Sequence, residues 1–224
     1  MLRFTSTLFA VVVLLAVALP AQAEERIALV IGNGAYEAVP TLPNAPIDTT
    51  LMAAAGMSDA NPDEYVATVS KWTSDKDVGA WLDDNFIFSK SRQNTIRKRL
   101  KNQGPSGLLI RNPETLFKDK VGYCADSAYF ALDALRRISP EYNPRWVFVE
   151  NSVKGKANHW VTGYTVEDKL YIIDYGAGHS WDAMNGIHGP YDSLEDYKEF
   201  LASLKIRGFK VADVMWRDMP GELD

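Results

Sequence analysis

The chain has 224 residues, with 24 basic against 29 acidic side chains, a formal charge of −5 and 46% hydrophobic residues, enough to build a sizeable core. That mild acidity lacks the basic footprint of a nucleic-acid binder, so no nucleic-acid partner is expected. A single cysteine excludes an intrachain disulfide framework, and no internal repeat or low-complexity stretch suggests a solenoid or a disordered chain.

Arg3, the apolar run Leu8 to Leu19 and Ala21-Gln22-Ala23 form the n-region, h-region and A-x-A cleavage site of a secretory signal peptide, residues 1–23, cut after Ala23. The run is short for a transmembrane helix, and no other stretch approaches the roughly 20 apolar residues that a span needs. The mature form is therefore expected to be periplasmic or secreted, with no stable membrane insertion. It would hold 201 residues with 23 basic and 29 acidic side chains, a formal charge of −6. In an oxidising compartment a free thiol is a liability unless it is buried or useful.

Arg26 to Tyr36 reads as a short apolar strand, Ile27-Ala28-Leu29-Val30-Ile31, followed by a glycine turn. This stretch resembles the opening strand of bacterial caspase-like peptidases, the metacaspase relatives, over about residues 26 to 55. Caspase chemistry requires a histidine well upstream of the nucleophile, and none occurs before His159. Residues 24–63 are therefore read as a caspase-like fragment or extension, and a caspase-like peptidase as the lesser alternative for function.

A main domain is expected over 64–217. Tyr65 to Phe88 is dense enough in aromatic and aliphatic residues to belong to a core. Ser91 to Gln103 reads as a basic helix stopped by Gly104-Pro105, its charges forming a solvated face. Asn112-Pro113-Glu114 starts a short helix with proline at its first position. Next comes Gly122-Tyr123-Cys124, followed by Ala128, Ala131, Leu132, Leu135 and Ile138 at helical spacing and a stop at Ser139-Pro140. The lone cysteine thus falls in the first turn of a helix, where unpaired N–H groups and the helix dipole favour a thiolate.

Arg145 to Glu150 reads as a strand, and Asn158–Thr165 and Lys169–Tyr175 as a hairpin around Val166-Glu167-Asp168. A two-residue loop pairs odd positions of the first strand with even positions of the second. His159, Val161 and Gly163 then share a face with Asp174, Ile172 and Leu170, the side on which the cysteine helix is expected to pack. Gly176 to Tyr191 is expected to loop over the site. Asp192-Ser193-Leu194-Glu195 opens a capped helix with a stripe of Leu194, Tyr197, Leu201 and Leu204, closed by Gly208. Phe209 to Trp216 forms a last strand, and 218–224 a tail.

Cys124, His159 and Asp174 are the residue types of nucleophilic catalysis: a thiol, a base to take its proton and a carboxylate to orient the base. Read singly, they could be an inert buried thiol, a core histidine and a turn residue. Their order, with gaps of 35 and 15, resembles the transglutaminase-like superfamily on Gly122-Tyr123-Cys124, His159-Trp160 and Tyr171 to Tyr175. The export signal adds a likeness to its bacterial transglutaminase-like cysteine proteinases. The resemblance implies a papain-like α+β fold, with an antiparallel sheet packed on the helix that carries the cysteine. It also implies a thiol hydrolase, a cysteine peptidase or amidase working through an acyl-enzyme on a protein or peptide substrate. Acyl transfer to an amine, as in transglutaminases, and a non-catalytic peptide-binding module are the alternatives.

The resemblance further nominates an upstream indole or amide, Trp81 or Asn85, to join the backbone N–H of Cys124 in the oxyanion site. Trp160, Tyr175, His179 and His188 are candidates for the substrate cleft. One cysteine and three scattered histidines show no paired metal-ligand spacing. No cofactor or metal is expected, with calcium, used by some relatives, left open for want of a matching acidic cluster.

Overall fold

The structure, a computed structural model, describes residues 62–223. The expected signal peptide and caspase-like strand lie outside the described residues. The boundary placed between residues 63 and 64 falls within the first described helix, α1 (Pro62–Val69). With α2 (Asp75–Asn85) it supplies Tyr65, Val69, Val78 and Leu82 to a core completed by Phe130, Ala131 and Leu135. The four-residue spacing of each pair sets both on one helix face.

Two very short strands then pin the chain that delivers the cysteine. β1 (Ile87–Phe88) runs parallel to β3 (Val121–Gly122). Ile87 N donates to Lys120 O at 2.7 Å, and Ser89 N to Gly122 O at 2.6 Å. Between them lie α3 (Lys90–Gln103), β2 (Leu109–Ile110) and α4 (Pro113–Asp119). The Asn112 side chain accepts from Thr115 N, and Pro113 fills the first turn, the arrangement its sequence suggested.

α5 (Cys124–Ile138) begins on the cysteine and ends before Ser139-Pro140, as its periodicity predicts. Ala125, Ala128, Ala131, Leu132 and Leu135 are buried along it. It packs on one face of a five-stranded antiparallel sheet of order β7-β6-β5-β4-β8. The strands are β4 (Arg145–Asn151), β5 (His159–Val166), β6 (Lys169–Asp174), β7 (Gly186–Tyr191) and β8 (Val211–Arg217). On the opposite face lies α6 (Leu194–Ser203), whose Tyr197 and Leu201 are buried with Val147, Val161 and Ile172. This is the antiparallel sheet on a cysteine-bearing helix that the α+β reading anticipates.

Three expectations change. The Gly176 to Tyr191 segment is not all loop, because Gly186–Tyr191 adds an edge strand to β6. α6 stops at Ser203 rather than at Gly208, and Leu204 and Ile206 continue against the same core outside the helix. The C-terminal tail is drawn in: β9 (Glu222–Leu223) pairs in parallel with β2, and Leu223 packs on the cluster of Leu108 and Ile110.

The basic helix α3 also departs from a wholly solvated face. Arg92 turns inward, with its side chain 13% exposed, and grips the fully buried Asp126 through Nε at 2.6 Å and Nη2 at 3.0 Å. Burial raises the Asp126 pKa, opposed by Arg92 and by the N–H groups of Arg111 and Tyr123. Removing one partner of such a pair strands a buried charge. Arg92→Met is expected to lower unfolding free energy by about 3–5 kcal/mol in urea melts. Arg92→Lys should restore only part of this, because a single ammonium cannot reproduce the two-pronged contact.

Candidate active site

Cys124 is the first residue of α5, so its own N–H has no acceptor within the helix. The helix start is held by Asp126, which accepts from Tyr123 N at 2.9 Å and Arg111 N at 2.8 Å in addition to Arg92. Ser127 Oγ donates to Cys124 O at 3.0 Å. The nucleophile candidate is thus mounted on a turn whose polar groups are committed, and its side chain is mostly buried.

His159 and Asp174 come from the hairpin. Val166 pairs with Lys169 and Thr162 with Ile173, leaving the two-residue loop Glu167-Asp168 with φ of 50° and 60°. These positive values suit the turn whose twist matches a right-handed hairpin. Carrying the register on by one step sets Asp174 opposite Val161 and diagonal to His159, the odd-with-even pairing expected. Asp174 Oδ2 lies 2.7 Å from His159 Nε2, both side chains nearly without exposure, and Asp174 Oδ1 accepts from Gly176 N at 3.1 Å.

The packing side differs from expectation. Val161 and Ile172 face α6, whereas α5 lies on the other side, where Thr162 Oγ1 donates to Ala128 O. His159 and Asp174 reach Cys124 because they stand at strand ends, beside the first turn of α5. The close approach depends on Gly176: a Cβ there would meet Cys124 Cα at 2.4 Å and Ser127 Oγ at 2.5 Å. No side chain fits between strand end and helix start.

Asp174 engages Nε2 of His159, and the Cys124 thiol is the other side chain that acts on the imidazole. Burial alone would lower the histidine pKa. The Asp174 charge and hydrogen bond, with a smaller contribution from Cys124, outweigh it and hold His159 up at about 10. The Trp181 ring stands edge-on to the imidazole at 6.1 Å and packs on Phe209, screening the pair from solvent. Trp181 escaped the sequence reading, which took His179 from the same Gly178-His179-Ser180-Trp181 loop as a residue near the cleft.

A family model described as a transglutaminase-like domain matches residues 63–179, a stretch that contains all three of these residues. The chain belongs to that family. No curated protein matches it. Among solved structures, it is similar to Legionella pneumophila LapG: 18% identity, 56% of this chain and 69% of that one covered, TM-score 0.35. The calcium-bound form of LapG matches at 14% identity over 75% of this chain and 83% of that one, TM-score 0.39.

Against the transglutaminase-like resemblance, the other nominated residues separate. Trp81 stacks between Phe117 and Phe130 in the core, at 5.2 and 4.3 Å. Asn85 donates to Trp81 O and accepts from Lys120 Nζ. Neither lines the cleft that holds Cys124. Trp160 does line that cleft, and His179 lines the cavity next to it. Tyr175 packs instead against the first core cluster, and His188 bonds Met184 O at 2.6 Å and packs at a tilt against Phe200.

Among the described residues no group of three or more His, Cys, Asp or Glu could hold a metal. The carboxylate nearest the cysteine in sequence, Asp126, commits both oxygens to protein donors.

Two outcomes test this geometry. Gly176→Ala should push the helix start away from His159 and slow thiol alkylation by iodoacetamide while the protein stays folded by circular dichroism. The raised histidine pKa sets a pH window for stability. The pair contributes fully below the unfolded histidine value near 6.5, and its contribution is lost as pH rises through about 10. Asp174→Asn should flatten that decline in urea melts taken from pH 6.5 to pH 10.

Proposed function

We propose that the protein is an exported thiol hydrolase, a cysteine peptidase or amidase acting on a protein or peptide through an acyl-enzyme. The observation that carries this reading is the buried His159–Asp174 bond of 2.7 Å, beside a Cys124 thiol at the helix start that helps to raise the histidine pKa. A base placed between nucleophile and orienter is the arrangement on which nucleophilic catalysis depends.

In this mechanism Cys124 Sγ, its proton passed to His159, attacks the carbonyl carbon of an amide. The developing oxyanion accepts from the Cys124 N–H at the positive end of α5. Collapse breaks the C–N bond, and the leaving nitrogen takes the proton from His159, releasing an amine and leaving a thioester. Water then attacks the thioester, giving its proton to His159. Collapse frees the acid product, and the proton returns to the thiol. Asp174 holds the imidazole in orientation and stabilises its charged form throughout. Trp181 keeps bulk water off the His159–Asp174 bond, which strengthens it.

Export is supported by the leader pattern ending at Ala21-Gln22-Ala23. Among the described residues, no helix is long and apolar enough to cross a membrane. Intact-mass measurement of protein taken from the medium or the periplasm should give a chain that starts at Glu24.

Activity is tested with a casein-like substrate, with and without a primary amine. New termini without amine incorporation are expected, whereas incorporation would move the assignment to acyl transfer. Cys124→Ala should abolish turnover, and activity that survives it ends the proposal. Asp174→Asn should cost about 10²- to 10⁴-fold in kcat, because the imidazole loses both its orientation and its counter-charge.

A further inference from the structure

Two cavities meet beside Cys124. The first, about 1070 Å³, contains the cysteine and has an apolar lining that includes Ile96, Leu100, Leu108, Phe148, Trp160 and Met219. The second, about 980 Å³, runs past Phe88 and the Ala177 to Trp181 loop that follows Asp174. Gln93, Arg97, Lys156 and Ala157 line both, which makes them two halves of one groove.

The halves differ in charge. Arg97 and Lys156 stand where the halves join; the second adds Lys90 and Arg207 and has no carboxylate in its lining, whereas the first adds Arg217 beside Asp218. All four cations of the second half are exposed, and among the described residues none lies within salt-bridge distance of an acid. Arg97 gives one N–H to the Gly155 carbonyl at 2.9 Å, a neutral acceptor that leaves its charge uncompensated. Four cations with no acidic partner among the described residues thus line one half of the groove, on a chain whose formal charge is −5. Mutual repulsion disfavours such a cluster unless a negative occupant relieves it.

We infer that the groove takes an extended acidic polypeptide, with an apolar side chain in the half that holds Cys124 and carboxylates in the half lined by Lys90, Arg97, Lys156 and Arg207. Charge complementarity selects the acidic occupant. The apolar half selects a polypeptide over a nucleic acid. Its aromatic rings are already packed together, Phe148 on Trp160 at 4.7 Å and Trp146 on Trp160 at 6.0 Å, and do not form an open stacking platform for bases. The inference rests on the thiol-hydrolase reading for what happens to the occupant, but not for its binding.

The test uses the mature chain with Cys124→Ala, so that nothing is consumed, and three fluorescent peptides with one apolar centre flanked by Glu, Gln or Lys. In anisotropy titrations the Glu peptide is expected to bind roughly tenfold more tightly than the Gln peptide, as two favourable exposed ion pairs would give. The advantage should shrink as salt is raised. Adding Lys90→Gln and Arg207→Gln should remove it while affinity for the Gln peptide is unchanged. Equal binding of the Glu and Gln peptides, or an advantage that survives the double substitution, overturns the inference. So does tighter binding of a single-stranded oligonucleotide of matched charge. Incubation of the same peptides with the Cys124 protein separates the two claims. A Glu peptide that binds selectively but is never cleaved removes the hydrolase and keeps the groove's preference. Cleavage of all three at one rate, with equal binding, does the reverse.

Discussion

Asp126 has no exposed side-chain surface, yet it accepts from the Arg92 guanidinium and from the backbone of Arg111 and Tyr123. Those donors belong to α3, to the strand-to-helix link before α4 and to the residue that caps α5. One carboxylate therefore ties three separate stretches to the first turn of the cysteine helix. A buried charge tolerates little displacement of its partners, since each lost hydrogen bond leaves a desolvated group unpaired. The position of Cys124 is set by this constraint before any contact with His159 is made.

The sheet brings the other partners to the same point from its end. α5 covers one face and α6 the other, so the residues between them are buried on both sides and β5 is nearly continuous in its burial. His159 and Asp174 lie at the ends of β5 and β6, where the Trp181 ring stands edge-on to the imidazole. The gap between strand end and helix start is closed without a side chain at Gly176. Burial then acts in two directions on His159: it penalises the imidazolium, and by removing water it strengthens the attraction of Asp174, which prevails.

Much of this was legible in local pattern. The periodicity from Ala128 to Ile138 predicts α5 and its end, and Asn112-Pro113 predicts the start of α4, because these signals are written in spacing and capping chemistry. Hairpin parity set His159 and Asp174 on one face, since a two-residue loop leaves no freedom in register. The same parity misassigned the helix on that face: a strand covered on both sides has buried residues on both faces and does not say which helix takes which. Arg92 read as one of several solvated cations in a basic helix, for nothing in its spacing distinguishes the residue that turns inward. Trp81 and Asn85 read as site residues by likeness of position, but stacking on Phe117 and Phe130 and bonding to Lys120 commit them to the core and its edge.

By itself the sequence determined the chemical inventory: one thiol at a helix start, a histidine and an aspartate paired by parity, and elements whose boundaries follow from capping and periodicity. Tertiary structure alone decided which groups surround them. The Arg92–Asp126 bond, the Trp181 screen, the contact of Gly176 with Cys124 and the split of the groove into apolar and basic halves all join residues far apart in the chain. Such contacts depend on how packed faces meet, and local spacing carries no record of that.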